Sequence, residues 1–417
     1  MSGELVVLGA AEEQIPIYRE ARRRGVRAIA VDFRRDRPAL PFADGFLHCS
    51  IRDADAIAEA LGDTRPAGIV SAASDAGLSA WHELCVRYGT PYVYPREAVA
   101  ASMDKAAFHE VARAAGVDGY RWVCSADPDE LAVRAALLDR PLVVKPADGS
   151  GSKGVRRVAD PAGLPAAIAH AKAYASGAGV VIVEEVVQGR QLVVETFMRG
   201  GAAHFTAVLE KTFVPDGDFV VRRLRCPALV HSSTAARLAS TAERLCRALG
   251  ITDGPANFDV VLPPYGRERV IEVNARLGGN GIPRLLSAAY GVDVVAALVS
   301  LVLGEPFDLT PAGRPRHALL ELLGSPLEKP GEFVAVNGLD DARASGGVAD
   351  LELFAGPGDI VDPFDQSGHK IGHIVSTGES AAAAEQALDT AVGRLRLDVR
   401  PVLPSSEAAE GEHHVVR

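Results

Sequence analysis

Short runs of Val, Ile and Leu alternate along the start of the chain with Ala-, Arg- and Glu-rich stretches whose apolar positions recur at helical spacing. The runs Leu5–Gly9, Ala28–Asp32, Gly68–Ser71 and Pro91–Tyr94 read as strands. The stretches ending at Arg24, running from Asp53 to Leu61 and ending at Tyr88 read as helices. Such alternation predicts a parallel sheet flanked by helices. Asp32 ends the second strand, where a dinucleotide fold keeps its ribose-binding acid. Yet the first turn, Gly9-Ala10-Ala11-Glu12-Glu13-Gln14, lacks G-x-G-x-x-G and sets two acids where a pyrophosphate would lie, which argues against a nicotinamide cofactor.

From Ser102 the pattern changes. An amphipathic helix opens at Met103-Asp104-Lys105 and runs to Gly116, and a strand, a glycine-rich loop and a second strand follow from Pro141 to Val155. Strands and helices then alternate to Gly304. The most apolar stretch, Val294–Leu303, has half of the roughly 20 residues a membrane span needs and reads as a buried helix. After Pro306 come strand-like pieces at His317–Leu323, Phe333–Val336, Leu351–Phe354 and Ile371–Ser376, then a helix from Ser380 to Leu395, a third unit of α+β type. Past Pro404 the residues are small and polar and predict a disordered tail.

The length of 417 residues suggests about three domains at roughly 150 residues each. A 48% hydrophobic and 24% charged composition excludes collagen, coiled coil and bulk disorder. The net charge of −10, with no basic block, excludes nucleic acid as a partner. Neither a secretory leader nor a membrane segment is expected from Met1–Gly9 or from the rest of the chain. The cysteines Cys49, Cys85, Cys124, Cys226 and Cys246 are scattered and never spaced C-x-x-C, which fits a reducing compartment, the cytoplasm.

Three stretches carry candidate chemistry. The loop Asp148–Gly154 lies between two strands, so it is a hairpin tip and not a Walker P-loop, and no Gly-Lys-Ser/Thr closes it. Its Gly149, Gly151 and Gly154, with Ser150 and Ser152, leave backbone N–H groups able to converge on an anion. Lys145, on an otherwise apolar strand just before the loop, adds a point charge for a phosphate. Further on, Phe258–Leu262 and Val270–Asn274 read as a hairpin across Pro263–Arg269. Glu272 and Asn274 then share one face and Asp259 comes alongside them. Three oxygen-bearing side chains on an apolar sheet suit Mg²⁺ shared with nucleotide phosphates. Arg276-Leu277-Gly278-Gly279 follows with an anion donor and glycines that allow close approach. Between these, the strand Val180–Val187 ends in Glu184 and Glu185, acids able to accept from an exocyclic amine or a ribose hydroxyl. His369 and His373 could face the same way on a strand, but a metal site needs more ligands than two, and they read as surface histidines.

In this order the residues resemble the ATP-grasp superfamily, and the three-part chain resembles its carboxylate–amine ligases, from about Leu5 to Leu395. The resemblance implies a mixed α/β and α+β architecture. It comprises a Rossmann-like pre-ATP-grasp domain over 1–96, an ATP-grasp core over 97–305 with a lid subdomain at about 120–183, and a C-terminal α+β subdomain over 306–402. It also implies roles. Lys105, Lys145 and Lys211 would bind phosphates, with Ser150, Gly151 and Ser152 closing over them. Glu184 and the Val187 backbone would bind adenine, and Gln191 would bind ribose where the family usually has Glu. Asp259, thirteen positions before Glu272, would hold Mg²⁺ or Mn²⁺ with Glu272 and Asn274. Arg276, with Gly278 and Gly279, would hold the substrate carboxylate, and Arg276 and Lys145 would serve catalysis. Two positions before Asp259 many members carry a basic residue, and this chain has Asn257. Gly304-Glu305-Pro306 and Gly358-Asp359-Ile360-Val361 resemble turns of dipeptide-forming ligases.

The implied reaction is ATP-dependent ligation of a small carboxylic acid to an amine through an acylphosphate, releasing ADP and phosphate, by a homodimer with no membrane or nucleic-acid partner. Such chemistry needs positioning and charge neutralisation more than side-chain acid–base groups. Two alternatives stand beside it: an ATP-grasp enzyme that carboxylates or formylates a purine precursor, and a catalytically silent nucleotide-binding protein.

Overall fold

The structure, a computed structural model, describes residues 3–117, 119–148, 154–214 and 220–402. Strands β1 (Glu4–Leu8), β2 (Ala28–Asp32), β3 (Gly45–His48) and β4 (Pro66–Ser71) form a parallel sheet in the order β3-β2-β1-β4. Helices cover it, so β2 is buried along its whole length and reads as a continuous apolar run. Asp53 caps the helix Ala54–Leu61 by accepting from Ala56 N, and Gly25, at φ +71°, ends the helix Ile15–Arg24. The buried Asp32 does not await a ribose. Its Oδ2 accepts from Ala10 N at 3.1 Å and its Oδ1 from Arg34 N at 3.0 Å, which pins the first turn.

The expected strand at Pro91–Tyr94 is not one. Its tyrosines dock by their tips: the Tyr92 and Tyr94 hydroxyls donate to the carbonyls of Asp253 and Pro255, tying the segment to the core by side chains and not by a ladder. The strand that completes the sheet is instead β3, whose four half-exposed or exposed residues carry no strong apolar signal.

A second, antiparallel sheet holds β5 (Trp122–Ser125), β6 (Leu142–Pro146), β7 (Arg156–Val158) and β8 (Val181–Glu185) in the order β5-β8-β6-β7. Helices Pro128–Ala135 and Leu164–Tyr174 cover one of its faces through Leu131, Ala135, Leu164, Ile168 and Ala171. The hairpin β6–β7 flanks the glycine-rich loop. Ser150, Gly151 and Ser152 lie outside the described residues, as does the tail from residue 403.

The largest sheet is antiparallel with eight strands. Its members are β9 (Arg190–Arg199), β10 (Ala202–Phe213), β11 (Val221–Cys226), β12 (Gly254–Leu262), β13 (Arg269–Asn274), β14 (His317–Gly324), β16 (Val348–Leu353) and β18 (Lys370–Gly378). They run in the order β13-β12-β9-β10-β11-β14-β18-β16. Strands from beyond Pro306 thus extend the sheet that carries the Asp259–Asn274 hairpin. The strands β15 (Gly331–Asn337), β17 (Ile360–Val361) and β19 (Arg396–Pro401) form a small sheet beside them. The helix Ala381–Arg394 closes a separate apolar cluster there with Ala384, Leu388 and Ala391.

The helix Val294–Val302 is buried, as its composition predicts. Among the described residues no single helix is long and apolar enough to cross a membrane. All five cysteines are free thiols.

Candidate functional site

Strand register gathers the site. Across β12 and β13, Asp259 pairs with Glu272 and Asn257 with Asn274. Across β12 and β9, Asn257, Asp259 and Val261 face Glu195, Val193 and Gln191, and Gln191 in turn faces Lys211 of β10. Directly opposed residues point to the same side of a sheet, so Gln191, Glu195, Lys211, Asn257, Asp259, Glu272 and Asn274 share one face. Lys211 Nζ is 2.7 Å from Asp259 Oδ2, and Lys105 Nζ is 3.8 Å from Glu272 Oε2.

The smaller sheet supplies a second wall. Lys145 Nζ lies 2.7 Å from Glu184 Oε2, and His109 Nε2 lies 2.8 Å from Glu184 Oε1. Burial by itself would raise the Glu184 pKa, but Lys145 and His109 together hold it at about 2. The expected adenine acid is therefore engaged by two cation-capable partners in this state. His109 has no counterpart in the sequence reading, although it follows Lys105 by one helical turn on Lys105–Ala114 and so shares its face. Trp122 stacks on its ring and the Tyr120 hydroxyl is 2.8 Å from Nε2. The Lys105 backbone N–H donates to Ala147 O at 2.9 Å, which fixes the start of this helix beside the end of β6. Val187 follows β8 by two residues, and the preceding Val186 N–H is tied to Pro141 O at 2.9 Å.

The two walls meet at Glu272. Burial would raise its pKa, yet Lys105, Lys145, Lys211 and Arg276 hold it below the usual carboxylate range. Cations from the helix Lys105–Ala114, from both sheets and from the Arg276 loop thus converge on one carboxylate. Asp259, Glu272 and Asn274 offer only oxygen donors, the set a hard divalent cation such as Mg²⁺ or Mn²⁺ prefers. Both carboxylates already balance positive charge through their lysines, so the residues fit such an ion. Among the described residues no group of three or more His, Cys, Asp or Glu is gathered for a metal, and a set built on Asp259 and Glu272 would need the Asn274 amide as its third member.

Beyond the hairpin, the loop Arg276–Gly281 is held by three carboxylates from distant parts of the chain. Arg276 Nε and Nη2 each lie 2.8 Å from Asp75 Oδ1. Gly278 N donates to Glu195 Oε1 at 3.1 Å, and Asn257 Nδ2 donates to Glu195 Oε2 at 2.7 Å. Asn280 N donates to Glu13 Oε1 at 2.8 Å. Asn257, which stands where many ATP-grasp members carry a basic residue, thus serves the loop through Glu195. Burial pushes the Glu195 carboxyl up to about 7, against the pull of Asn257, Gly278 N–H and Arg276. A Cβ on Gly278 would stand 2.8 Å from Glu195 Oε2 and 2.7 Å from Ile282 Cδ1, so glycine is needed for close approach. On Gly279 the nearest atom would be Ala73 Cβ at 3.5 Å, ordinary contact.

The two acids of the first turn share a partner, and Glu13 reaches the loop as well. Lys370 Nζ lies 2.6 Å from Glu12 and 3.0 Å from Glu13, buried between them. The surface reading is corrected for His373, which is buried with Nε2 3.1 Å from Asp350 Oδ2, an acid that chain folding brings close. His369 stays partly exposed, with Nδ1 2.9 Å from Oδ1 of Asp365, four positions before it.

A model of the ATP-grasp domain matches residues 138–284, and a model of L-amino acid ligase C-terminal domain 2 matches residues 326–400. Over 343 residues the chain is 30% identical to the uncharacterized protein y4rH of Sinorhizobium fredii, covering 80% of this chain and 69% of that protein. It is 29% identical over 308 residues to a formate-dependent phosphoribosylglycinamide formyltransferase of Erwinia tasmaniensis, covering 72% and 76%. Among solved structures it is similar to an L-amino acid ligase from Bacillus licheniformis, with a TM-score of 0.79 and 20% identity over 96% of this chain and 99% of that one. At that identity the likeness is one of fold.

Proposed function

Because the chain belongs to the ATP-grasp carboxylate–amine ligase superfamily, we propose that it joins a small carboxylic acid, an amino acid or a close analogue, to an amine and releases ADP and phosphate. The observation that carries this reading is the gathering of cations from separate elements onto neighbouring acids of one site, Lys211 on Asp259, Lys145 on Glu184 and Lys105 beside Glu272, whose carboxyl all three and Arg276 hold low. A triphosphate is the ligand such a ring of cations suits, and each lysine exchanges its carboxylate for phosphate oxygen when nucleotide enters. Glu184, the Val187 backbone and Gln191 then face the nucleoside. Asp259, Glu272 and Asn274 would hold Mg²⁺ or Mn²⁺, which when bound would supply neutralisation of phosphate charge.

Arg276 orients the acid, with Gly278 and Gly279 allowing its close approach, and Lys145 and Arg276 stabilise negative charge as the phosphoryl group passes to the carboxylate. The acylphosphate so formed needs shelter from water until the amine attacks. The units 1–96, 97–305 and 306–402 act together in this reading, since the Arg276 loop is held from the first by Asp75 and Glu13, and Glu13 is in turn held by Lys370 of the third. A cytoplasmic homodimer is the state the family resemblance implies.

The likeness to a formyltransferase over most of its length favours the purine-precursor alternative. The match of residues 326–400 to an L-amino acid ligase domain weighs against it. Hydroxylamine offered with Mg²⁺, ATP and a panel of amino acids and other small acids separates the readings. The ligase gives hydroxamate and ADP in equal amounts for its acid. ADP without hydroxamate across a panel that includes formate and bicarbonate would point to phosphoryl transfer to another acceptor.

A further inference from the structure

Arg276 has five N–H donors. Nε donates to Oδ1 of Asp75 at 2.8 Å, Nη2 lies 2.8 Å from the same oxygen, and Nη1 donates to Leu277 O at 3.1 Å. An arginine fork meeting a carboxylate commonly takes one oxygen per N–H, in two parallel bonds. Here the second oxygen, Oδ2, is kept out of the fork, and no described N–H reaches it. The turn that presents Asp75 is built for this. Ala73 adopts φ +55°, a left-handed conformation that costs energy for a residue with a Cβ. Its N–H donates to Leu277 O at 3.3 Å, and Gln14 Nε2 holds the Ala72 carbonyl at 2.6 Å. The strained turn, the Leu277 carbonyl and the Arg276 side chain are therefore locked to one another across the junction of the parallel sheet and the large sheet.

We propose that Asp75 selects the acid substrate: Oδ1 aims Arg276 at the carboxylate, and Oδ2 takes the cationic group that an α-amino acid carries on the neighbouring carbon. The assignment rests on the ligase reading and adds the residue that discriminates. N–H groups of Nη1 and Nη2 remain for a carboxylate, and a group one carbon away from that carboxylate falls beside the residue already bound to the guanidinium. The surrounding charge makes the choice sharp. Lys105, Lys145, Lys211 and Arg276 would repel an ammonium group unless an acid faced it. Glu13 is committed to Lys370 and Asn280 N–H, and Glu195 is buried against Asn257 and Gly278. Glu272, also near Arg276, is the acid assigned to the divalent ion, which leaves Asp75, with a side chain 22% exposed, as the acid bound to Arg276 with an oxygen to offer.

The test compares amino acids with their des-amino counterparts, alanine with propionate and glutamate with glutarate, in the hydroxylamine assay with Mg²⁺ and ATP. The wild-type enzyme should show a KM at least about tenfold lower for the amino acid of the accepted pair. Asp75→Ala should raise that KM about tenfold or more, leave the KM for ATP unchanged and bring the two members of the pair within about threefold. Asp75→Asn keeps an oxygen for Arg276 and should fold even if the alanine variant does not, while losing the same preference through loss of charge. Equal use of both members by the wild type, or a parallel rise in the KM of both acids and of ATP in the folded Asn variant, would overturn the assignment alone. Absence of hydroxamate from every acid tested would overturn the ligase reading and this assignment with it.

Discussion

Lys145 Nζ stands 2.7 Å from Glu184 Oε2, with both side chains less than a tenth exposed, so a cation expected to meet phosphate is held by an acid expected to meet adenine. The pattern repeats on the facing sheet, where Lys211 holds Asp259 and Lys105 approaches Glu272. In the proposed site, opposite charges that would serve nucleotide and metal neutralise each other, which limits the cost of burying them.

Removing one member of the buried pair exposes its strength. Lys145→Met should destabilise the protein by about 3 kcal/mol at pH 7, because Glu184 is left buried with less compensation, and adding Glu184→Leu should restore most of the loss. Glu184 is depressed to about 2 in the folded chain against an ordinary 4.5. Its contribution is therefore full above 4.5 and is lost as pH falls towards 2. Denaturant titrations should find the Lys145→Met penalty shrinking through that window. A penalty independent of pH would contradict the pairing.

Glu195 titrates in the opposite sense. With its folded pKa raised to about 7 from 4.5, its stabilising contribution is complete below 4.5 and disappears as pH rises through 7. Glu195→Gln removes that dependence. Relative to wild type the variant should gain roughly 1–3 kcal/mol between pH 5 and pH 8. An equal difference between the two proteins at both pH values would show that Glu195 is not held protonated by burial.

Glu272→Gln should leave the fold intact and lower ADP release at least about a hundredfold, since the side chain keeps its length and loses the charge that a divalent ion and four cations address. The checks are ADP release over a Mg²⁺ titration and the melting temperature. Near-wild-type release by a folded variant would remove Glu272 from the site.

Adjacent glycines should behave differently. Gly278→Ala drives a Cβ into Glu195 and Ile282 and should lower kcat/KM about tenfold or more, whereas Gly279→Ala meets only ordinary contacts and should stay within about threefold. Equal effects would mean that the approach of Gly278 to Glu195 has no part in shaping the loop.

What the sequence reveals depends on how far apart the interacting residues are. The hairpin bearing Asp259, Glu272 and Asn274 is legible because two-residue periodicity and a short connection determine both the face and the pairing. Lys211 and Gln191 need only one further strand. Glu195 also lies on that face, two alternations from Gln191, but a lone acid in an apolar strand carries no signal until register sets it against Asn257. Asp75 lies 201 residues from Arg276, and Glu13 lies 267 from Asn280, so no local pattern could join them. The acids of the first turn were legible as an obstacle to pyrophosphate, while their partner Lys370, some 358 positions from Glu12, was not. Pro91–Tyr94 misleads for a related reason: β-prone tyrosines are used there as hydrogen-bonding props on another segment.

The most direct measurement of the central claim follows oxygen. An acid labelled with ¹⁸O in its carboxylate is incubated with enzyme, Mg²⁺, ATP and an amine, and the released phosphate is weighed by mass spectrometry. Activation through an acylphosphate transfers one carboxylate oxygen to phosphorus, so one ¹⁸O atom should appear in phosphate for each amide formed, and the Arg276→Lys and Glu272→Gln variants should lose both products together. Amide formed with unlabelled phosphate, or ADP released with neither amide nor label, would contradict the account.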